Sequence, residues 1–140
     1  MASGFEVRPA SGTWVVRACG AVLGESDSAL QLLERGHEPV INFPRIDVAM
    51  QFLDQSSAVT TCPWKGDATH YSIATTERTL RDAAWSYEAP HASAAAIKEH
   101  AAFHPRNGTA IEQLRNLRCL GRRWRRAVTW AMYPNIDIPG

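Results

Sequence analysis

The sequence predicts a β-rich body followed by one long amphipathic helix. Apolar and polar residues alternate in short stretches between residues 13 and 87, as half-buried strands require. From Thr109 onward the apolar residues recur every three or four positions, the spacing of a helix face. The bulk composition suits one folded domain: 140 residues, 45% apolar and 21% charged, bury a core without covalent staples.

Taken in order, "TWVVRA" is a strand with Trp14, Val16 and Ala18 on one face and Val15 and Arg17 on the other. Cys19-Gly20 turns the chain into a second strand through Leu23. Ser28 then offers an N-cap, a short apolar run follows and Gly36 stops it, so one or two helical turns are expected. "PVINF" reads as a strand closed by Pro44. In 45–57, Ile46, Val48 and Met50 mix with Phe52-Leu53 without clean alternation, and a short helix is expected. Residues 59–73 read as a hairpin. Val59 and Thr61 alternate with Thr60 and Cys62 on one side, and Thr69, Tyr71 and Ile73 with His70 and Ser72 on the other. A turn over Trp64-Lys65 with Gly66 in the left-handed position makes the common three-residue bulged loop.

"TLRDAAWSY" is a further strand that sets Trp85 and Tyr87 on one face. "SAAAIKEHAAF" is helical by composition, capped by Ser93 and ended by Pro105. Thr109-Ala-Ile-Glu112 has the capping-box pattern of a helix start. Ile111, Leu114, Leu117, Leu120, Trp124, Val128 and Ala131 then form an apolar stripe, flanked by Arg115, Arg118, Arg122 and Arg125. This helix bends at Gly121 and stops before Pro134. Its stripe is too apolar to leave in water, so it packs on the body or on a second copy of the chain as a homodimer. The reading is a single domain, 1–140, with a β-rich body at 13–105 and an arginine-rich helical extension at 106–140.

Several classes are set aside by composition. No run of 18 or more apolar residues spans a membrane, and the N-terminal residues lack the regions of a signal peptide. Cys19, Cys62 and Cys119 are too few and scattered for a disulfide framework and form no CxxC zinc pair, which places the protein in the cytoplasm. Residues 1–105 carry eight Lys/Arg against twelve Asp/Glu, a net −4; residues 106–140 carry seven Arg against two acids, a net +5. Docking of the basic tail on the acidic body explains this asymmetry and argues against a nucleic-acid partner.

Four ordered stretches, "GHEPVINFPRIDV", "TCPWKGDATHYS", "AAWSYEAP" and "AAIKEHAAFHP", resemble the domain of unknown function 427 family over residues 13–105. The Cys-Pro-Trp-Lys-Gly block carries most of that resemblance. It implies a small, mostly antiparallel β-structure, either a barrel or a tent-like pair of sheets. His104 stands where members of the family tend to carry Tyr, and the arginine-rich tail has no counterpart there. The family also bears a nucleotidyltransferase-like label. That chemistry needs paired acids for a divalent metal and a cradle for phosphate. This chain has no Asp-x-Asp pair, no Gly-x-x-x-x-Gly-Lys-Ser/Thr and no Gly-x-Gly-x-x-Gly.

The residues themselves describe a pocket with aromatic walls, Trp64, Tyr71, Trp85 and Tyr87, and polar groups, Arg45 and His37 for binding and Lys65, His100, Cys62 and Glu88 for chemistry, with His70 beside them. Each has a plainer reading beside it. Trp85 and Tyr87 at strand spacing suit a core, Cys62 suits a small buried apolar position, and Arg45 suits a structural ion pair. Lys65, held between Trp64 and Gly66, either projects into water from the hairpin tip or serves as an acid, base or cation for a substrate oxygen. His100 and His104 have the i, i+4 spacing of helical metal ligands, but Pro105 disfavours helix there and no third ligand is apparent. The expectation is therefore a cofactor-independent, metal-free enzyme. It would carry out isomerisation, cyclisation, elimination or hydrolysis on a small organic molecule. A non-catalytic small-ligand module and an interaction protein acting through the basic helix are the alternatives.

Overall fold

The computed structural model describes residues 5–106 and 108–114. Ten strands run through it: β1 (Phe5–Pro9), β2 (Thr13–Ala18), β3 (Ala21–Ser26), β4 (Leu30–Glu34), β5 (Val40–Pro44), β6 (Leu53–Cys62), β7 (Gly66–Ala74), β8 (Thr79–Ser86), β9 (His100–Phe103) and β10 (Thr109–Leu114). Seven form one sheet in the order β1-β4-β5-β9-β8-β7-β6, and three form a second in the order β10-β2-β3. Every pairing among them is antiparallel. The tent-like reading of two sheets matches this arrangement, whereas the closed barrel does not form: β1 and β6 remain the edges of the larger sheet.

The main core fills the space between the sheets. Val16, Ala18 and Leu23 of the small sheet meet Ile41, Phe43, Ile73, Leu80, Ala84 and Phe103 of the large one. Phe43 and Phe103 pack edge to face with centroids 5.9 Å apart. Gly24 of β3 bridges to Val48, just after β5; a Cβ at Gly24 would stand 2.8 Å from the Asp47 carbonyl oxygen. The other face of the large sheet is also covered. Leu32, Ala68 and Tyr87 form a second cluster with Ala94 and Ile97 from the 3-10 segment Ala92–Ile97.

The hairpin at residues 59–73 has the expected form. Cys62 pairs with Gly66 across a three-residue loop, and Gly66 has φ +111. Only glycine adopts that angle without strain. The turn at Cys19-Gly20, the strands on either side of it and the strand at "PVINF" also stand as read.

Four helical readings are corrected. Residues 30–34 form β4 because the segment is paired on both sides, to β1 and to β5, and the strand buries Leu32. A two-sided ladder outweighs the helix propensity of Leu-Gln-Leu-Leu-Glu. The stretch at 45–57 makes two 3-10 turns, Arg45–Asp47 and Met50–Phe52, and then enters β6. "SAAAIKEHAAF" is 3-10 only as far as Ile97; Glu99 at φ +60 redirects the chain into β9, which fills the slot between β5 and β8. Thr109–Leu114 is strand β10 and not a helix start, paired to β2 from Thr109↔Ala18 to Leu114↔Thr13. The rest of the expected helix, and its docking on the body or a second copy, lie outside the described residues. Sequence reading also missed β1, whose short Phe-Glu-Val-Arg-Pro run has weak alternation and pairs along a sheet edge.

Candidate functional site

The larger sheet curls until its two ends approach each other. Lys65, in the loop between β6 and β7, reaches across to β4 and β1 at the opposite end of the strand order. Its Nζ donates to Glu34 Oε1 at 3.1 Å and lies 5.8 Å from the Phe5 ring centre and 5.7 Å from that of Tyr87. Both ring distances are within reach of a cation–π attraction. Lys65 is buried at 9% exposure, while its neighbour Trp64 is 48% exposed. Backbone bonds hold the loop in this pose. His91 N donates to Lys65 O at 2.9 Å, and Ser93 Oγ donates to Trp64 O at 2.9 Å. The corner therefore turns its tryptophan outward and its lysine inward.

Behind Lys65 lies a cavity of about 260 Å³. Leu32, Val40 and Ile97 supply apolar wall and Trp85 and Tyr87 supply flat aromatic wall. Glu34, His37, Lys65, His70 and His104 bring ionisable groups to it, with Asn42 and Thr60 beside them. Strand alternation explains the set. Thr60, His70 and Trp85 lie on neighbouring strands, with His70 directly opposite Trp85 in the register. Thr60 Oγ1 and His70 Nε2 are hydrogen-bonded at 2.9 Å, and the His104 ring is tilted over Trp85 with centroids 4.4 Å apart.

The cavity's environment shifts two of these groups. Burial pushes the Tyr87 hydroxyl up to about 12, with the Cys62 and Glu34 charges adding to it, so Tyr87 is a neutral hydrogen-bonding group at physiological pH. Burial also lowers His104, helped by the positive charges of Arg106 and His70, which favours the neutral imidazole.

Of the residues singled out from sequence, Lys65, His37, His70, Trp85 and Tyr87 meet at this cavity. Cys62 packs beside Tyr87 and Trp85 in the adjoining apolar cluster. His100 is not among the lining residues; its Nδ1 lies 2.9 Å from the Lys98 carbonyl. Arg45, Glu88 and Tyr71 assemble elsewhere. Arg45 Nη1 donates to Glu88 Oε2 at 2.8 Å, the Tyr71 hydroxyl donates to the same oxygen, and the Tyr71 ring packs in the inter-sheet core. Burial, then Glu88, raises Tyr71. Glu34, Asn42 and Thr60 were not singled out, because nothing in the local sequence reveals which strand ends share a cavity. His70 and Trp85 carried a usable signal in their strand parity.

A larger cavity of about 640 Å³ lies on the far side, against Val22, Leu23, Phe52 and the loop at Thr75, Thr76 and Glu77. Among the described residues its ionisable groups are Cys19 and Glu77, so size favours that cavity and chemistry favours the smaller one.

The sequence profile of the family described as Domain of unknown function (DUF427) matches residues 6–114. The chain belongs to that family. The matched stretch takes in every described residue that lines the smaller cavity. No curated protein matches the sequence. Among the described residues no group of three or more His, Cys, Asp or Glu is arranged to hold a metal ion, and no helix is long and apolar enough to cross a membrane.

Proposed function

We propose that the smaller cavity binds a small organic molecule and performs acid/base chemistry on it. One observation carries the reading: an ammonium and two imidazoles, Lys65, His70 and His104, converge on a cavity walled by Trp85 and Tyr87. An ammonium stabilises negative charge developing on a substrate oxygen, and a neutral imidazole accepts a proton near physiological pH. Lys65 keeps the role its sequence position suggested. The imidazole role falls to His70 and His104, which face the cavity, in preference to His100. Cys62 is a wall residue in this scheme. Isomerisation and elimination fit these groups best, because both need a base and an oxygen-stabilising cation with no covalent intermediate.

The non-catalytic alternative uses the same cavity, and the intact Lys65–Glu34 pair favours it, since a paired ammonium is a good anchor. A fragment screen followed by Trp85 fluorescence, with Trp85→Phe as control, finds compounds that occupy the cavity. Incubation of each hit with the protein, followed by mass spectrometry, separates turnover from binding. His70→Ala and His104→Ala should lower turnover by roughly 100-fold or more, while Cys62→Ala leaves it near wild type. Hits bound without change identify a binding module. A covalent adduct on Cys62 sulfur, or no fragment near Trp85, would sink the proposal.

A further inference from the structure

The charges around the cavity bear on which ligands it accepts, and this step rests on the cavity being the functional site. Among the described residues, the ionisable groups lining it are one carboxylate, Glu34, one ammonium, Lys65, three imidazoles, His37, His70 and His104, and the Tyr87 phenol. Glu34 is already held by Lys65 at 3.1 Å. A cationic ligand would have to displace a tethered ammonium, whose effective concentration next to Glu34 is in the millimolar range or above. An anionic ligand can share Lys65 with Glu34 and need not displace it. Lys65 has three N–H donors and is hydrogen-bonded to Glu34 through one. An imidazole can offset an added negative charge by taking up a proton.

We infer that the cavity is a site for a small, flat organic anion that is bound together with one proton, with Lys65 holding the anionic oxygen and His104 on Trp85 taking up the proton. No bond is broken in this step: the proton comes from solvent and the imidazole becomes imidazolium. His104 is suited to it by position. Its ring is tilted over Trp85, whose register partner His70 lines the same cavity. Burial, then the positive charges of Arg106 and His70, disfavours its charged form, and Glu34 is committed to Lys65. An anion against Trp85 supplies the missing counter-charge. Flatness is required by the two aromatic walls, Trp85 and Tyr87, and smallness by about 260 Å³ of space.

Benzoate, benzamide and benzylamine test this as one shape with three charges, titrated calorimetrically into the full chain. Benzoate should bind best, with a heat that changes with the ionisation enthalpy of the buffer in proportion to one proton taken up. Above the range where benzoate itself protonates, its affinity should fall by about tenfold per pH unit wherever His104 is neutral in the free protein and charged in the complex. Lys65→Gln should weaken benzoate at least tenfold, and His104→Gln should bind benzoate with no proton uptake, a change that a merely structural role would not produce. Should benzamide or benzylamine bind as well as benzoate, the anion assignment is overturned while the cavity remains the site. Benzoate binding with no buffer dependence overturns the proton uptake. Failure of all three probes to bind overturns both this inference and the cavity reading beneath it.

Discussion

At the scale of single residues, the Lys65–Glu34 pair is the most informative contact. Its side chains are 11% and 27% exposed, well below those of the Arg8–Glu6 pair at 53% and 59%. Exposed pairs contribute little, and partly buried ones contribute more while penalising the loss of one partner. Lys65→Met should therefore cost about 2 kcal/mol in urea unfolding, and a double-mutant cycle with Glu34→Gln should give a coupling of about 1 kcal/mol. The same cycle on Arg8 and Glu6 should give nothing measurable. Tyr87 makes a second prediction. Its hydroxyl ionises at about 12 in the folded protein against 10.0 ordinarily. The stability this gives is complete below pH 10 and is lost as the pH rises toward 12, because the unfolded chain releases the proton first. Tyr87→Phe should flatten the fall in stability between pH 10 and 12, read from thermal melts. A fall as steep as in wild type would place its cause elsewhere.

At the scale of elements, β10 shows how a local signal is overruled. Thr-x-x-Glu followed by apolar residues promises a helix, yet Glu112 sits in a strand, paired with Arg17 of β2 at 2.9 Å. That strand completes the small sheet, which would otherwise be a two-stranded ribbon, and such ribbons are marginal in water. Truncation after residue 106 removes β10 and should lower the melting temperature by about 10 °C or more, since ΔΔG of 2–3 kcal/mol moves a domain of this size that far. Truncation after Leu114 keeps every described strand pairing. The difference between the two melting temperatures measures β10 alone, and equal values for both truncations would show that β10 adds nothing.

At the scale of the whole molecule, the large sheet separates two apolar clusters with different duties. The inter-sheet cluster holds the fold together, whereas the outer one also builds the floor of the cavity. Phe43 and Ile97 are fully buried, one in each. Phe43→Ala should cost about 3–5 kcal/mol and Ile97→Ala about 2–5 kcal/mol. Only Ile97→Ala should change the Trp85 fluorescence and the response to cavity ligands. If Phe43→Ala altered those as strongly, the two faces would not be separable.

The sequence by itself determined the β-rich character, the hairpin at 59–73 and the turn at Cys19-Gly20. Strand alternation and turn chemistry are local, so they can be read without knowing the partners. Tertiary structure alone decided the rest. Leu30–Glu34, His100–Phe103 and Thr109–Leu114 became strands because each slot beside an existing strand offered a backbone ladder and a buried face. Curling of the large sheet brought Glu34 and Phe5 to Lys65, and His104 to Trp85, over separations in sequence that no local pattern encodes. The same register sent Tyr71, with Arg45 and Glu88, away from the cavity: neighbours on a strand point to opposite faces, so His70 and Tyr71 could not serve the same site.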